Sequence, residues 1–497
     1  MSTTAAIVAA PHDLAYELSV EVPRGHTIRY DFNALVSALG CEDDPSRLAV
    51  ETHFHRGLVT IYGRNPLARI RAVTRADLAM DRNGSIVVGL YHNGEPAKMR
   101  LFDPKSGSAQ RFFKLGTTGG GKSRVLQLQL IAEKLNGIVS WVADLKFGQS
   151  VPEAEHHVDW FVRTPEGAIL LLLAAVAVAK QRMLRYSAAG RTAFWLTPGG
   201  DRLLHVHIEE ANRLLEKGAP YRDLATYLIK ELGRTGRSVG VGIDLCAQAS
   251  HLEELGGSDT LRAMLKEGEV TLLRWSSTMM KQLVTDGLVP SGEQLMPIGN
   301  SLQPRGGLRS QFDPEPDDED APGTQGMAYL LNSRRPTALM RHWRVGSIAP
   351  LPGLDPEILA LYGDDEPARL EQTSHEAAGA AYTARHDADA FQELCEQLRH
   401  EHEQAQHPIQ PITKTAGSGS NADDDPEPPA PHPARLHERV LAVLAKAAEP
   451  MSAEAVLAAV NADGGRKVKI GSVRNDLKAL ADADSITRAG HGLYGPA

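Results

Sequence analysis

The chain has 497 residues, of which 42% are hydrophobic and 23% charged, enough for roughly two to four domains around a sizeable core. Its formal net charge of -9 excludes a globally basic binder of nucleic acid or acidic membranes, so any basic surface must be local. The three cysteines, Cys41, Cys246 and Cys395, are scattered without metal spacing, which excludes a disulfide scaffold and predicts reduced thiols in a cytoplasmic protein. No signal-peptide pattern opens the sequence. The longest apolar run, Ala168 to Ala179, is too short to span a bilayer and fits a buried helix, so a partner would have to supply any membrane attachment.

Residues 1–82 read as a small α+β module. Alternating runs occur at 18–22 and 58–62, and a helix is expected after Asp31. Nothing in this part carries recognisable chemistry, and a structural or oligomerising role is the default. Residues 83–350 form the next expected domain. It opens with a strand pair at 86–91 and 98–102, joined by a turn through Asn93-Gly94.

The run Gly116-Thr117-Thr118-Gly119-Gly120-Gly121-Lys122-Ser123 then matches the phosphate-binding P-loop pattern. Glycines let consecutive N–H groups approach a phosphate closely. Lys122 supplies a point charge for the outer phosphates of ATP, and the Ser123 hydroxyl is a ligand for Mg²⁺. Arg124 extends the phosphate-facing set. The strand-like run 111–115 precedes the loop and the apolar-sided segment 124–135 follows it. This strand–loop–helix context adds the positive end of a helix to the anion site.

A buried strand, 137–144, ends in Asp144 and is followed by Leu145 and Lys146. Those two charges face either a ligand crevice or a structural ion pair. A helix is expected from 166 to 185. The strand 203–208 delivers Glu209 and Glu210 to the Walker B position, where Glu209 would hold the metal and Glu210 would polarise the attacking water. His205 and His207 alternate on that strand and read as packed histidines in preference to metal ligands. After a helix at 223–232 comes Gly233-Arg-Thr-Gly-Arg-Ser-Val-Gly240. Its Arg234 and Arg237 are candidates for a finger reaching across a subunit interface, or are plain surface residues. The strand 241–247 ends at Gln248, a polar group able to sense the γ-phosphate. A further strand (270–274), an acidic insertion (311–324) and a hairpin (326–331 with 337–341) complete the domain.

Residues 351–433 read as a helical segment, exposed and charged over 371–403, followed by an acidic, proline-bearing linker. Residues 434–497 turn compact again, with helices at 436–447, 452–460 and from Ser472, then a hairpin over 485–494. Three helices and a hairpin make a winged helix. Its third helix would present Ser472, Arg474, Asn475 and Lys478 to the major groove, with Arg488 on the wing and Lys467 and Lys469 on the phosphates.

Taken together, the P-loop, D-L-K at 144–146, the acids at 209–210, G-R-T-G-R-S-V-G at 233–240, L-C-A-Q at 245–248 and L-L-R-W-S-S at 272–277 resemble the motor core of FtsK/SpoIIIE-family DNA translocases. The resemblance runs from about Asn83 to Arg344. Within that family the chain looks like the Tra-type translocases of Streptomyces conjugative plasmids, which lack a membrane-spanning N-terminus. The resemblance implies an α/β fold: a RecA-like P-loop motor with an N-terminal α+β module and a C-terminal winged-helix domain. It also implies a homo-oligomer, a hexameric ring, with ATP at subunit interfaces, double-stranded DNA in the pore, and membrane-associated partners recruiting the protein to a membrane or septum. The winged helix would read short DNA repeats. Three positions depart from the pattern: Glu209 stands for Asp, Leu145 for the Pro of D-P-K, and Ala249-Ser250 follow Gln248 where Arg-Pro is common. An alternative reading keeps nucleotide binding but makes the chain a nucleotide-switched DNA-binding regulator with little turnover. A protein-secretion ATPase is a further alternative, against which the winged helix argues.

Overall fold

The computed structural model describes residues 2–6, 14–248, 255–274, 295, 298–299, 323–331, 338–406, 436–482 and 486–496, apart from a few positions inside these spans. The chain forms two compact units, Met1–Ile409 and Gln410–Ala497.

The first unit opens with an antiparallel sheet of β1 (Ser2–Ala6), β2 (Leu14–Glu21), β3 (Leu48–His53) and β4 (Arg56–Tyr62), in the order β1-β2-β4-β3. The helix α1 (Phe32–Ala38) begins where Asp31 accepts a hydrogen bond from the Ala34 N–H, as an N-cap side chain does. Val36, Cys41, Leu48, Val59 and Ile61 form a small core of their own beneath it.

The main sheet has ten strands in the order β11-β10-β12-β13-β9-β14-β15-β16-β5-β6. These are β5 (Ser85–Tyr91), β6 (Pro96–Arg100), β9 (Arg111–Leu115), β10 (Val139–Asp144), β11 (Trp160–Val162), β12 (Leu204–Glu209), β13 (Val241–Ala247), β14 (Glu269–Leu273), β15 (Met327–Leu331) and β16 (Leu339–His342). A two-stranded ribbon, β7 (Phe102–Asp103) and β8 (Ser108–Ala109), precedes β9. From β11 to β14 all pairings are parallel, and from β14 to β6 they are antiparallel. The parallel strands β9, β10, β12 and β13 are buried along their whole length, polar residues such as Lys114, His205, His207 and Asp244 included.

Helices pack on this sheet: α2 (Lys122–Leu135), α3 (Pro165–Ala188), α4 (Asn212–Leu215), α5 (Arg222–Thr235) and α6 (Asp259–Lys266). The helix α3 is the one described helix long and apolar enough to cross a bilayer. Its Ala168, Ile169, Leu171, Leu172, Ala175 and Val178 are nonetheless buried in the core of the unit. The acidic insertion lies outside the described residues up to 322, as do Trp275-Ser276-Ser277 and Ala249-Ser250.

The segment 351–403, read as helical and exposed, is helical but carries buried anchors, and the linker read at 407–433 lies outside the described residues. The helices α7 (Pro356–Tyr362), α8 (Gln372–Thr383) and α9 (Ala388–Gln406) belong to the first unit. Ile358, Tyr362 and Tyr382 are fully buried there. The charged surface of 371–403 hides anchors that composition alone does not reveal. Arg182 of α3 holds both carboxylate oxygens of Glu371 at 3.1 Å and donates to Ser374 Oγ at 2.9 Å. Tyr382 donates to buried Asp159 at 2.6 Å.

The second unit contains α10 (Leu436–Lys446), β17 (Met451–Ser452), α11 (Ala453–Ala462), α12 (Ile470–Asp482), β18 (Ile486–Gly490) and β19 (Leu493–Pro496). Its strands pair in the order β17-β19-β18. Val440, Leu444, Val456, Val460, Val473, Leu477 and Leu480 fill its core.

Candidate functional site

The loop 116–121 leaves the carboxyl end of β9 and enters α2 directly. Gly119 and Gly121 have φ of +74° and +104°, left-handed values that admit glycine at little cost. The first N–H groups of α2, at Lys122 and Ser123, have no intrahelical acceptor and point out of the helix end. Lys122 is buried and donates through Nζ to Gly116 O at 2.7 Å and Thr117 O at 3.4 Å. Burial pushes its pKa down, while Glu209 and Glu210 pull the other way. The lysine thus closes the loop on itself.

Two acids reach the same place from the end of β12. Ser123 Oγ donates to Glu209 Oε1 at 2.7 Å. The second oxygen, Oε2, is buried without a hydrogen-bond partner. Burial pushes the Glu209 pKa up, against the Ser123 hydroxyl and the neighbouring Cys246 thiol. A hydroxyl and a carboxylate with one oxygen unpartnered, at a helix N-terminus, suit a hard divalent cation such as Mg²⁺. The extra methylene of Glu209 relative to Asp is accommodated with the Ser123 contact intact.

Glu210 follows at a left-handed φ of +55°, unusual for a residue with a side chain. Its carboxylate accepts from Gln248 Nε2 at 3.0 Å and pairs with Lys146 Nζ. Burial would raise its pKa, but Lys146 and Gln248 outweigh it and hold the group below its usual range. Lys122, Ser123, Glu209, Glu210 and Gln248 therefore converge at the carboxyl ends of parallel strands, where open α/β sheets bind ligands.

The other residues named from the sequence have these surroundings. Asp144 and Lys146 do not pair with each other. Asp144 accepts the N–H groups of Lys146, Ser150 and Val151, and Lys146 goes to Glu210. Arg124 lies 3.8 Å from Asp355, beside α7. Arg234 is exposed in the last turn of α5, and Arg237 donates to Ala109 O at 3.4 Å. Ala109 precedes β9, whereas the P-loop follows it, so Arg237 is about 15 Å or more of strand away from its own chain's loop. His205 and His207 point into a buried cluster with Glu133 of α2, and the ligand atoms of the three lie within 4.8 Å of one another, a spacing that could hold a metal ion.

Arg274 is a loop contact that the sequence reading gave no role, although it lies in the L-L-R-W-S-S run at 272–277. Its carbonyl accepts from Thr117 N–H at 3.2 Å and Thr117 Oγ1 at 3.0 Å, and its guanidinium donates to Thr118 O at 2.9 Å. The available signal was its place at the end of β14, which pairs with β9 in parallel.

In the second unit, α12 turns Val473, Leu477 and Leu480 inward and leaves Arg474 and Lys478 exposed. Lys467 and Lys469, just before the helix, are exposed as well. Arg474 pairs with Glu454 of α11 at 2.6 Å. The side chains of Ser472, Asn475 and Arg488 lie outside the described set, as do Arg466 and His491.

No protein-family model and no curated protein matches the chain. Among solved structures it is similar to the cytoplasmic domain of the Thermomonospora curvata type VII secretion ATPase EccC, at 19% identity and a TM-score of 0.43 over 61% of this chain and 34% of that one. It is also similar to the pCW3 conjugation coupling protein TcpA, a monomer form with ATPγS, at 13% identity and a TM-score of 0.42 over 68% of this chain and 87% of that one. A third is VirB4 of Thermoanaerobacter pseudethanolicus, at 10% identity and a TM-score of 0.30 over 54% of this chain and 98% of that one. The chain thus spans about a third of the EccC structure. Likeness at this level carries no activity across, so the chemistry has to come from the residues themselves.

Proposed function

We propose that the chain is an ATP-driven double-stranded DNA translocase of the FtsK/SpoIIIE kind, of the Tra type that moves plasmid DNA in conjugation. The observation that carries this is the convergence of Lys122, Ser123, Glu209, Glu210 and Gln248 around a glycine loop at the head of α2. Residues 116–124 hold the phosphates of ATP, with Lys122 transferring its hydrogen bonds from Gly116 and Thr117 to them. Ser123 and Glu209 hold Mg²⁺, which when bound neutralises charge on the phosphates. Glu210 orients the attacking water, and Gln248 links Glu210 to the outer phosphate.

In this reading the copies assemble as a hexameric ring with DNA in its pore. Arg237, remote from its own P-loop, or the exposed Arg234 serves the site of the neighbouring copy. The second unit acts as a winged helix that reads DNA through α12, with Arg474, Asn475 and Lys478 on the duplex and Lys467, Lys469, Ser472 and Arg488 beside them. Membrane-associated partners bring this cytoplasmic motor to its place of work.

Translocation is tested by displacement of a labelled third strand from a linear duplex. Wild-type chain with ATP releases the third strand and Lys122→Ala does not. Release that is independent of ATP, or absent while ATP is hydrolysed, contradicts the motor.

A further inference from the structure

Phe54, far in sequence from the P-loop, has a left-handed backbone, with φ +52°. It opens a two-residue turn: His53 pairs with Arg56 across the β3–β4 hairpin, and Phe54 and His55 make the bend. Turns of this length favour Asn, Asp or Gly where φ is positive, and a bulky side chain there is strained. Phe54 is nevertheless 75% exposed. Its ring lies 4.6 Å from that of His53, which is itself exposed. Neither turn preference nor burial accounts for a phenylalanine at this apex. A strained aromatic held out in solvent is placed for contact with something outside the chain.

The flanks of the apex are cationic. The loop after β2 is tied to the hairpin at both ends, Val22 N–H donating to His55 O at 2.8 Å and Ile28 N–H to Phe54 O at 3.4 Å. Arg24 and His26 lie between those ties and Arg29 directly follows the second, and all three are exposed. Arg56 is exposed on the other side of the apex. The one acid in 21–30 and 53–57 is Glu21, which faces His55 at 3.1 Å and Arg56 at 3.6 Å. The acids Glu42 and Asp44 precede β3, whose first residue Leu48 pairs with Ile61 at the opposite end of the sheet. Tyr16, the other exposed large apolar side chain among the described residues of this module, also pairs with Ile61 at that far end.

Three arginines around one protruding ring match a polyanion. A bilayer surface needs more apolar area than a single phenylalanine offers. A single nucleic-acid strand is held along a groove by several stacking aromatics, whereas this is a convex tip with one. A wedge with cationic shoulders fits the minor groove of a duplex. We propose that the tip of the β3–β4 hairpin, with the loop 23–29, is a contact surface for duplex DNA, with Arg24, Arg29 and Arg56 on phosphates and Phe54 wedged against a base step. Binding here needs neither nucleotide nor the basic residues of α12.

The test is fluorescence anisotropy of a labelled linear duplex with the full-length, nucleotide-free chain over a series of salt concentrations, beside melting temperature. The variants are Phe54→Asn, the triple Arg24→Ala, Arg29→Ala, Arg56→Ala, and each of these combined with Lys467→Ala, Lys469→Ala and Lys478→Ala to remove basic side chains of the second unit. Phe54→Asn is expected to weaken binding about tenfold. Its melting temperature should be no lower than wild type, because asparagine suits the turn better. The arginine variant is expected to flatten the slope of log affinity against log salt concentration by about two to three. Both effects persist beside the lysine substitutions. A phenylalanine kept for folding would lower the melting temperature in Phe54→Asn and leave affinity alone, which overturns the proposal. If Phe54→Asn both melts lower and binds less, the arginine variant decides: a flattened slope at the wild-type melting temperature supports the surface, and an unchanged slope overturns it. Unchanged duplex affinity in both tip variants also overturns it. Loss of binding to phosphatidylserine vesicles in those variants would then point to a membrane, and loss of self-association in light scattering to a second copy of the chain.

Discussion

His207 stands between two carboxylates, with Nδ1 2.8 Å from Asp244 Oδ2 and Nε2 2.8 Å from Glu133 Oε2. A ring whose nitrogens both face carboxylates is doubly protonated. Burial works against that cation, but Glu133 and Asp244 push its pKa up to about 9. The same carboxylates are held below their usual range, Glu133 by His207 and His205, Asp244 by Lys114 and His207. Lys114 Nζ completes the cluster, 2.5 Å from Asp244 and 2.6 Å from Gln129. The sign follows from the directions. A raised histidine pKa contributes stability that is complete below about pH 6.5 and is lost as pH rises through about 9. The lowered carboxylates contribute stability that is lost as pH falls below the ordinary acid range. Melting temperature should therefore drop between pH 7 and pH 10, and His207→Leu should flatten that drop while costing on the order of 3–5 kcal/mol, because it leaves buried carboxylates unpaired. Thermal unfolding of both proteins across that range checks it, and an unchanged alkaline slope in the variant counts against the buried imidazolium. The alternation of His205 and His207 already placed both rings on one face of a strand. Their partner Glu133 comes from the far end of the P-loop helix, and no local pattern could name it.

At the scale of elements, regular structure was legible wherever local and tertiary preferences agree. The strand–loop–helix around Gly116–Ser123, the long apolar α3 and the acid-ended β12 all follow from short-range pattern. The anchors of 371–403 were not legible, because the exposed faces of this segment are charged and the partners of its buried residues lie far away in sequence. Arg182 is fully buried and is satisfied by Glu371, Ser374 and the carbonyl of Val239 at 3.0 Å. A guanidinium in a helix otherwise as apolar as α3 is a signal in retrospect: a buried arginine needs a partner, and α8 supplies it. Replacing Arg182 with Met should cost on the order of 2–4 kcal/mol, since Glu371 loses its bidentate partner and keeps only Arg185 at 4.0 Å as a cation. The loss should appear in hydrogen exchange as earlier labelling of 371–406, with α2 and β9 still protected. Uniform labelling of the whole unit would mean instead that α8 and α9 are integral to the sheet and not a separately anchored layer.

For the whole molecule, the two units each carry a core of their own, and the basic side chains of α12 belong to a different body from the P-loop. A net charge of -9 hid that arrangement, because acidic stretches elsewhere offset the exposed Lys467, Lys469, Arg474 and Lys478. If the chain is a motor, occupancy of the duplex must be felt at Glu209 and Glu210. Steady-state ATP hydrolysis with and without linear double-stranded DNA, beside Lys122→Ala, tests this most directly. The account predicts stimulation of tenfold order by DNA, abolished in Lys122→Ala because the phosphates lose their point charge. Negligible hydrolysis with and without DNA, from a chain that still binds duplex, would contradict the motor and leave a nucleotide-switched regulator.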